Sequence, residues 1–94
     1  MERPTLQAML DAANGIEREG DQYTVSEGHR VSLYVGEPGQ GMEVAEVVSV
    51  KLTDAFCELT SGEHRATYFV EYSSLHGLSV RAPSGGSGRR AGFS

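Results

Sequence analysis

The sequence predicts a mainly β domain in which one amino-terminal α-helix precedes a five-stranded, strongly bent antiparallel sheet that forms a small barrel. Three observations predict this fold. Apolar residues follow helical spacing only near the amino terminus, and from Tyr23 onward they follow the alternating pattern of strands. Clusters of Gly, Pro, Ser and Asp divide the second region into short segments. A chain of 94 residues provides one such core with little surplus for a second.

The first segment carries an apolar stripe at helical spacing. The stripe consists of Leu6, Met9, Leu10, Ala13 and Ile16. Pro4 suits an early helical position, and Asn14 followed by Gly15 favours a left-handed stop after the helix. Residues 17–21, EREGD, have no apolar pattern, so we expect them to form a polar connector.

Short runs of alternating apolar and polar residues predict the strands. A short strand at 23–25 is expected first. Five further strands are expected at 31–36, 42–52, 56–59, 65–72 and 75–81.

The longest predicted strand, 42–52, does not alternate cleanly. Its pattern places Val47 on the opposite face from the other apolar residues, which are Val44, Val48, Val50 and Leu52. Such a break indicates a bulge or a sharp bend, and a strand shared between two halves of a barrel requires one.

The last two strands are joined by a short link at 72–74. This link is too short for a hairpin between neighbouring strands, so it predicts that the chain crosses a barrel corner. The domain organisation follows from these boundaries. We expect a helix and connector at 1–21, the barrel at 22–82, and a flexible Gly, Ser and Arg tail at 83–94.

The chain carries a net charge of −5. Because Lys and Arg provide most non-specific affinity for nucleic acids, an acidic body disfavours a nucleic-acid partner. No apolar run approaches the roughly 20 residues that cross a bilayer, and the amino terminus lacks the apolar core of a secretory signal. The single cysteine, Cys57, forms no intramolecular disulfide. We therefore expect a cytoplasmic protein with no membrane partner.

Two segments carry a family resemblance. The first, HRVSLYVGEPGQGMEVAEVVSVKLTDAFCEL, contains two strands, a long bent one second, then an Asp-containing turn and a short third strand. The second, TYFVEYSSLHGLSV, contains a strand, a one-turn link and a last strand. Together they resemble the Sm-like family, including its bacterial Hfq branch. The resemblance implies an Sm-like or SH3-like barrel whose fourth and fifth strands, here 66–72 and 75–81, pair between copies into rings. The interaction edge that it implies comprises Tyr68, Val70, Tyr72, Leu75, Leu78 and Val80.

The RNA-binding motif of that family is not matched. Hfq-type relatives use a Tyr-Lys-His-like motif at the end of the fourth strand, whereas this chain reads VEYSS at 70–74. Sm proteins place an Asn near the turn that here reads TDA at 53–55. By resemblance, the corner that would face a pore or RNA comprises Glu71, Tyr72, Ser73, Ser74 and His76. The basic side chains available for RNA contacts are Arg65, Arg81, Arg89 and Arg90.

The sequence shows no pattern for catalysis, a metal or a cofactor. No Cys or His falls at metal-ligand spacing from the three histidines, which are His29, His64 and His76. Ser73 or Ser74 with His76 lacks a third orienting group, and no G-x-S-x-G elbow is present. A lone Cys57 in a strand is typical of a small core residue. We expect a protein that is not an enzyme.

These observations predict a non-enzymatic interaction module that self-associates as a homo-oligomer, or docks on a protein partner, through its edge strands. The alternative is an Sm-like RNA-binding protein with non-standard contacts. A weaker alternative is a small-ligand regulatory domain that uses the loop GEPGQG at 36–41, because irregular loops often carry binding sites.

Overall fold

The structure, a computed structural model, describes residues 1–37, 40–63 and 65–83. One α-helix, α1 (Arg3–Ala12), precedes the strands. The eight strands are β1 (Ile16–Glu19), β2 (Gln22–Val25), β3 (Arg30–Val35), β4 (Met42–Val44), β5 (Val47–Leu52), β6 (Phe56–Ser61), β7 (Ala66–Glu71) and β8 (Leu75–Arg81). A short 3-10 helix, Tyr72–Ser74, joins the last two strands. The predicted tail from residue 84 onward, with Arg89 and Arg90, lies outside the described residues, as do His64 and two residues of the 36–41 loop.

The strands form two antiparallel sheets. The larger sheet has the strand order β1-β2-β5-β6-β7, and the smaller has the order β4-β3-β8. One cluster of buried side chains draws on the helix and on both sheets, including Leu6, Tyr23, Leu33 and Leu59. The predicted mainly β fold with one amino-terminal helix is therefore confirmed. Its strands form a five-stranded and a three-stranded sheet instead of the single five-stranded sheet expected.

The helix α1 places one side against the sheets. Leu6 and Leu10 are fully buried, whereas Met9 is 38% exposed, so the buried stripe is narrower than the sequence pattern. Ile16 does not belong to the helix, since it begins β1. No helix among the described residues is long and apolar enough to span a bilayer.

The prediction of a polar connector at 17–21 is wrong. Residues Ile16–Glu19 form β1, which pairs with β2 in a hairpin that turns at Gly20 and Asp21. The strand lies at the edge of the larger sheet, and three of its four residues are exposed. Because an exposed edge strand buries little, its sequence carries no apolar alternation that would reveal it.

The long predicted strand is broken as the pattern indicated. Strand β4 pairs with β3 in the smaller sheet, while β5 pairs with β2 and β6 in the larger one. Between them Glu46 adopts a φ of 55°, in the left-handed region. The predicted faces were wrong at two positions, because Val47 is 1% exposed and Val48 is 44% exposed. The bend at Ala45 and Glu46 and a register shift between Val47 and Ser49 each interrupt the alternation, so one period of two cannot assign the residues of this segment.

The crossing at 72–74 is confirmed. The 3-10 helix Tyr72–Ser74 carries the chain from β7 in the larger sheet to β8 in the smaller one. Its backbone is well anchored, because the Met1 nitrogen donates to the carbonyls of Tyr72 and Leu75 at 2.9 and 2.6 Å. The Gly36 nitrogen donates to the Ser74 carbonyl at 2.8 Å. The buried Tyr72 hydroxyl donates to the carbonyl of Thr53.

Gly15 joins the helix to the first hairpin where the chain has no room for a side chain. Its φ is 86°, and a Cβ atom placed on it would lie 2.1 Å from Cδ2 of the His29 ring. Gly20 also has a positive φ, of 64°, but its Cβ position has no neighbour within 4 Å. An alanine at Gly20 would therefore meet only the cost of a left-handed backbone, whereas an alanine at Gly15 would also meet a steric clash.

Gly15→Ala is expected to lower the free energy of unfolding by about 2–5 kcal/mol, since a left-handed backbone costs about 1–2 kcal/mol and overpacking adds about 1–3 kcal/mol. Gly20→Ala should cost only about 1–2 kcal/mol. Urea unfolding of both variants measures the difference. Adding His29→Ala to Gly15→Ala should recover part of the loss, and equal losses for the two glycine variants would contradict the clash.

Three buried groups hold their protons more tightly than ordinary side chains do. Burial raises the pKa of the Cys57 thiol to about 11. Burial also raises the pKa of the Tyr23 and Tyr72 hydroxyls. Asp11, which accepts a hydrogen bond from the Tyr23 hydroxyl at 3.1 Å, adds to the rise in the pKa of Tyr23. In each case the charged form would lose its hydration inside the protein.

Folding stability is expected to fall as the pH rises above about 8.5, where a cysteine in an unfolded chain ionises. Between there and about pH 11 the unfolded chain releases the thiol proton while the folded chain retains it, so alkali favours the unfolded state. The two tyrosines extend the loss above about pH 10. Urea midpoints across this range test the prediction. Cys57→Ala should show a shallower decline, and an equally steep decline would assign the effect to other groups.

Candidate functional site

The predicted interaction edge maps to the two outer strands that flank the 3-10 helix. Strand β7 ends the larger sheet and β8 ends the smaller one, so each pairs on one side only among the described residues. Of the predicted side chains, Val70, Tyr72 and Leu75 are buried in the core. The others pack partly buried against it, namely Tyr68, Leu78 and Val80. A partner at these strands would therefore meet backbone groups and the outward-facing side chains.

Phe69 is the outward-facing side chain that the sequence analysis missed. It is 66% exposed, the largest exposure of any large apolar side chain among the described residues. Its ring lies against that of Phe56 on the neighbouring strand, with centroids 5.8 Å apart and planes inclined at 58°. The alternation alone could have revealed it, because Tyr68 and Val70 face the core and residue 69 between them must face out.

The four outer strands are not equally protected against pairing with another chain. Strand β1 has four residues, of which three are charged, and β4 has only three residues. Strands β7 and β8 have six and seven residues, and each carries one Asp, Glu, Lys or Arg side chain, Glu71 and Arg81. Short length and charge are the common protections of edge strands, so β7 and β8 are the two unprotected edges.

The corner residues do not form one polar surface. Tyr72 is buried and its hydroxyl is engaged by Thr53, whereas Glu71, Ser73 and His76 are exposed. His76 lines an open groove of about 400 Å³ on the smaller sheet together with Tyr34, Val35 and Met42. The corner therefore contributes His76 to a groove and contributes Tyr72 to the core.

A second cleft, of about 200 Å³, lies on the outer face of the smaller sheet and shares Tyr34 and Glu43 with that groove. Three cross-strand pairs of β3 and β8 form this face: Arg30 with Arg81, Ser32 with Ser79, and Tyr34 with Gly77. The Tyr34 hydroxyl and the Ser79 hydroxyl are 3.1 Å apart and share a hydrogen bond. Gly77 leaves an opening, because its Cβ position has no neighbour within 4 Å.

Of the predicted basic contacts, the two that the structure describes, Arg65 and Arg81, are not brought together. Arg65 lies on the turn before β7 with a φ of 51°, in the larger sheet, and Arg81 ends β8 in the smaller one. Arg30, which the sequence analysis did not select, is placed directly opposite Arg81. Only the pairing of β3 with β8 shows this, since 51 positions separate the two arginines in the sequence.

The side chains weighed for metal binding or catalysis are not brought together in residues 1–37, 40–63 and 65–83. No group of three or more His, Cys, Asp or Glu side chains there could hold a metal ion. Cys57 is buried, and its raised pKa keeps the thiol protonated near neutral pH. The side chains of Ser73 and Ser74 make no hydrogen bond to His76.

Comparisons with protein-family models, with curated proteins and with solved structures find no match to this chain. The resemblance to the Sm-like family thus stays a prediction from the sequence pattern. The candidate surfaces must be assessed from their own geometry.

Replacing Arg81 is expected to stabilise the fold. Like charges directly opposite each other on paired strands are destabilising, and an exposed cross-strand pair contributes roughly 0.2–1 kcal/mol. Arg81→Gln should therefore raise the free energy of unfolding by about 0.5 kcal/mol at low salt, and added salt should remove the gain.

Arg18→Gln is the matched control, with the opposite sign. Arg18 pairs with Asp11 at 3.3 Å and lies over the Tyr23 ring, so its loss should lower the free energy of unfolding by up to about 1 kcal/mol. Urea unfolding at low and high salt measures both variants. A destabilised Arg81→Gln would mean that Arg30 and Arg81 do not repel each other.

Proposed function

We propose that this chain is a non-enzymatic interaction module, a small barrel that self-associates by pairing strand β7 of one copy with strand β8 of another. One observation carries the proposal: β7 and β8 are long and sparsely charged, while the other two edges are short or charged. An unpaired edge presents a row of free N–H and C=O groups that a second strand can satisfy.

The strand order supports the barrel architecture in this proposal. The chain passes from β3 through the bent pair β4 and β5 to β6 and β7, then returns across the 3-10 helix so that β8 lies beside β3. This is the succession expected of an Sm-like or SH3-like barrel: a strand, a long bent strand, a short strand, and two strands joined by one turn. The hairpin β1–β2 is an addition to it on the side of β5.

The outward side chains of the two edges are complementary in shape. Phe69 projects from β7, whereas Gly77 leaves an opening on β8 beside the Tyr34 ring. A phenylalanine opposite a glycine on an adjacent strand covers the exposed backbone of the glycine.

One antiparallel register matches the two faces of the joined strands over residues 66–69 and 77–80. With Phe69 opposite Gly77, Thr67 lies opposite Ser79 on the outer face. On the inner face Tyr68 then lies opposite Leu78, and both are partly buried side chains that a second copy would cover. Successive residues alternate between the two faces of a strand, so a slip by one residue would oppose outward to inward side chains.

The interface joins two different strands, so it is heterologous. Each copy uses its β7 on one neighbour and its β8 on another. Such an interface closes into a ring when the rotation between copies closes, and otherwise extends as a filament. The number of copies follows from that rotation.

Phe69→Lys is expected to weaken self-association by about tenfold or more, because a lysine on an edge strand opposes pairing and the apolar contact is lost. Val48→Lys is the matched control, since Val48 is an exposed apolar residue on the central strand β5. Light scattering over a range of protein concentrations measures the mass of each. A wild-type chain that stays monomeric at tens of micromolar would end the proposal.

Cysteine cross-linking tests the register. Mixing a Thr67→Cys chain with a Ser79→Cys chain should give a disulfide-linked dimer, since opposed residues on paired strands lie within disulfide reach. Each variant alone should give none. If Thr67→Cys cross-links to Arg81→Cys and not to Ser79→Cys, the two edges pair but the proposed register is wrong. The buried Cys57 does not compete in this experiment.

A further inference from the structure

The cleft on the outer face of the smaller sheet does not depend on self-association, because a single chain forms it. We infer that Arg81 and Arg30 bind the carboxylate or phosphate group of a small organic anion, whose apolar body lies in the adjoining groove. The oxyanion would occupy the part of the cleft lined by these two cross-strand partners.

The two arginines are opposed without a full set of counter-charges. They are direct cross-strand partners, so their side chains extend from neighbouring positions on one face. Arg30 forms an ion pair with Glu46 at 3.4 Å, and Arg81 forms none with any described residue. An anion between the two guanidinium groups removes their repulsion. The Arg30–Glu46 pair is exposed and contributes little to folding stability, so a ligand that also contacts Arg30 would cost little stability.

Hydroxyl groups surround the same position. Ser32 and Ser79 lie opposite each other in the row next to the arginines, and both line the cleft. Guanidinium groups hold carboxylates and phosphates in forked, charge-assisted hydrogen bonds, and serine hydroxyls add further donors. These side chains supply donors for an oxyanion, while Glu43 and Glu46, which also line the cleft, carry the opposite charge.

The groove beyond Tyr34 indicates what else the ligand carries. It is about 400 Å³ and shares Tyr34 and Glu43 with the polar cleft, while Val35 and Met42 give it apolar walls. A ligand that spans both would place an aromatic or aliphatic body against Met42 and Tyr34. The net charge of −5 on the chain opposes a polyanion such as RNA, so the fitting class is a small anion with one charged group.

Phenyl phosphate, phenylacetate and benzyl alcohol are the probes. Backbone amide shifts in an NMR titration should change saturably on β3 and β8 with each of the two anions, and much less with the neutral alcohol. Arg81→Gln should weaken binding of the anions about tenfold, as expected for loss of a hydrogen bond to a charged group. The anion that binds more tightly identifies carboxylate or phosphate as the preferred group. Binding of either anion that depends on Arg81 supports the site.

Lys51→Gln is the matched control, because Lys51 is an exposed cation on β5 in the other sheet. It should change the affinity less than twofold. Equal weakening by Lys51→Gln and Arg81→Gln would show only non-specific charge attraction, and equal affinity for benzyl alcohol would show an apolar groove without an anion site. A single-stranded oligonucleotide that binds through Arg81 more tightly than phenyl phosphate would overturn the small-ligand class.

The titrations are to be repeated with Phe69→Lys as the background. This variant removes an edge contact on the other sheet and leaves every residue of the cleft unchanged. Anion binding that persists there, alongside loss of association, supports the site independently of self-association. Failure of both anions to bind in either background overturns the inference and leaves the edge pairing unaffected.

Discussion

Both sheets depend on one break in the backbone, at Ala45 and Glu46. The left-handed φ of Glu46 redirects the chain, so that β4 belongs to the smaller sheet and β5 to the larger. The carbonyls released from strand pairing accept hydrogen bonds from the end of β6. The buried Ser61 hydroxyl donates to Ala45 at 3.0 Å, and the Gly62 nitrogen donates to Glu46 at 2.8 Å. Because unpaired buried backbone groups are costly, these two bonds make the break tolerable.

The surfaces follow from this break and from the crossing at Tyr72–Ser74. Together they let eight short strands share one core while β7 and β8 remain unpaired along one side each. The same arrangement turns the outer face of β3 and β8 to solvent, with charged and hydroxyl side chains in register. The proposed edge association would use the backbone of β8, and the proposed anion site would use its outward side chains, so the two proposals can be tested separately.

The elements whose apolar periodicity is uninterrupted could be predicted from the sequence. The helix with Leu6 and Leu10 and the strands from β3 onward were predictable, as was the crossing before Leu75. Strand β1 was not, because an exposed edge needs no apolar face. Val48 was assigned to the wrong side because the bend before β5 and a register shift between Val47 and Ser49 both interrupt the period of two. The opposition of Arg30 and Arg81 is a property of strand pairing, which no local pattern encodes.

Glu46 occupies a backbone position that a protein engineer seeking thermal stability would give to glycine. A left-handed conformation costs a residue with a Cβ roughly 1–2 kcal/mol, and an exposed ion pair such as that with Arg30 returns about 0–1 kcal/mol. Stability alone therefore gives no reason for a glutamate there. The carboxylate orients the Arg30 side chain toward the cleft, so the residue that bends the strand also sets the direction of a charge. Replacing Glu46 with glycine for stability would therefore remove the ion pair that orients Arg30.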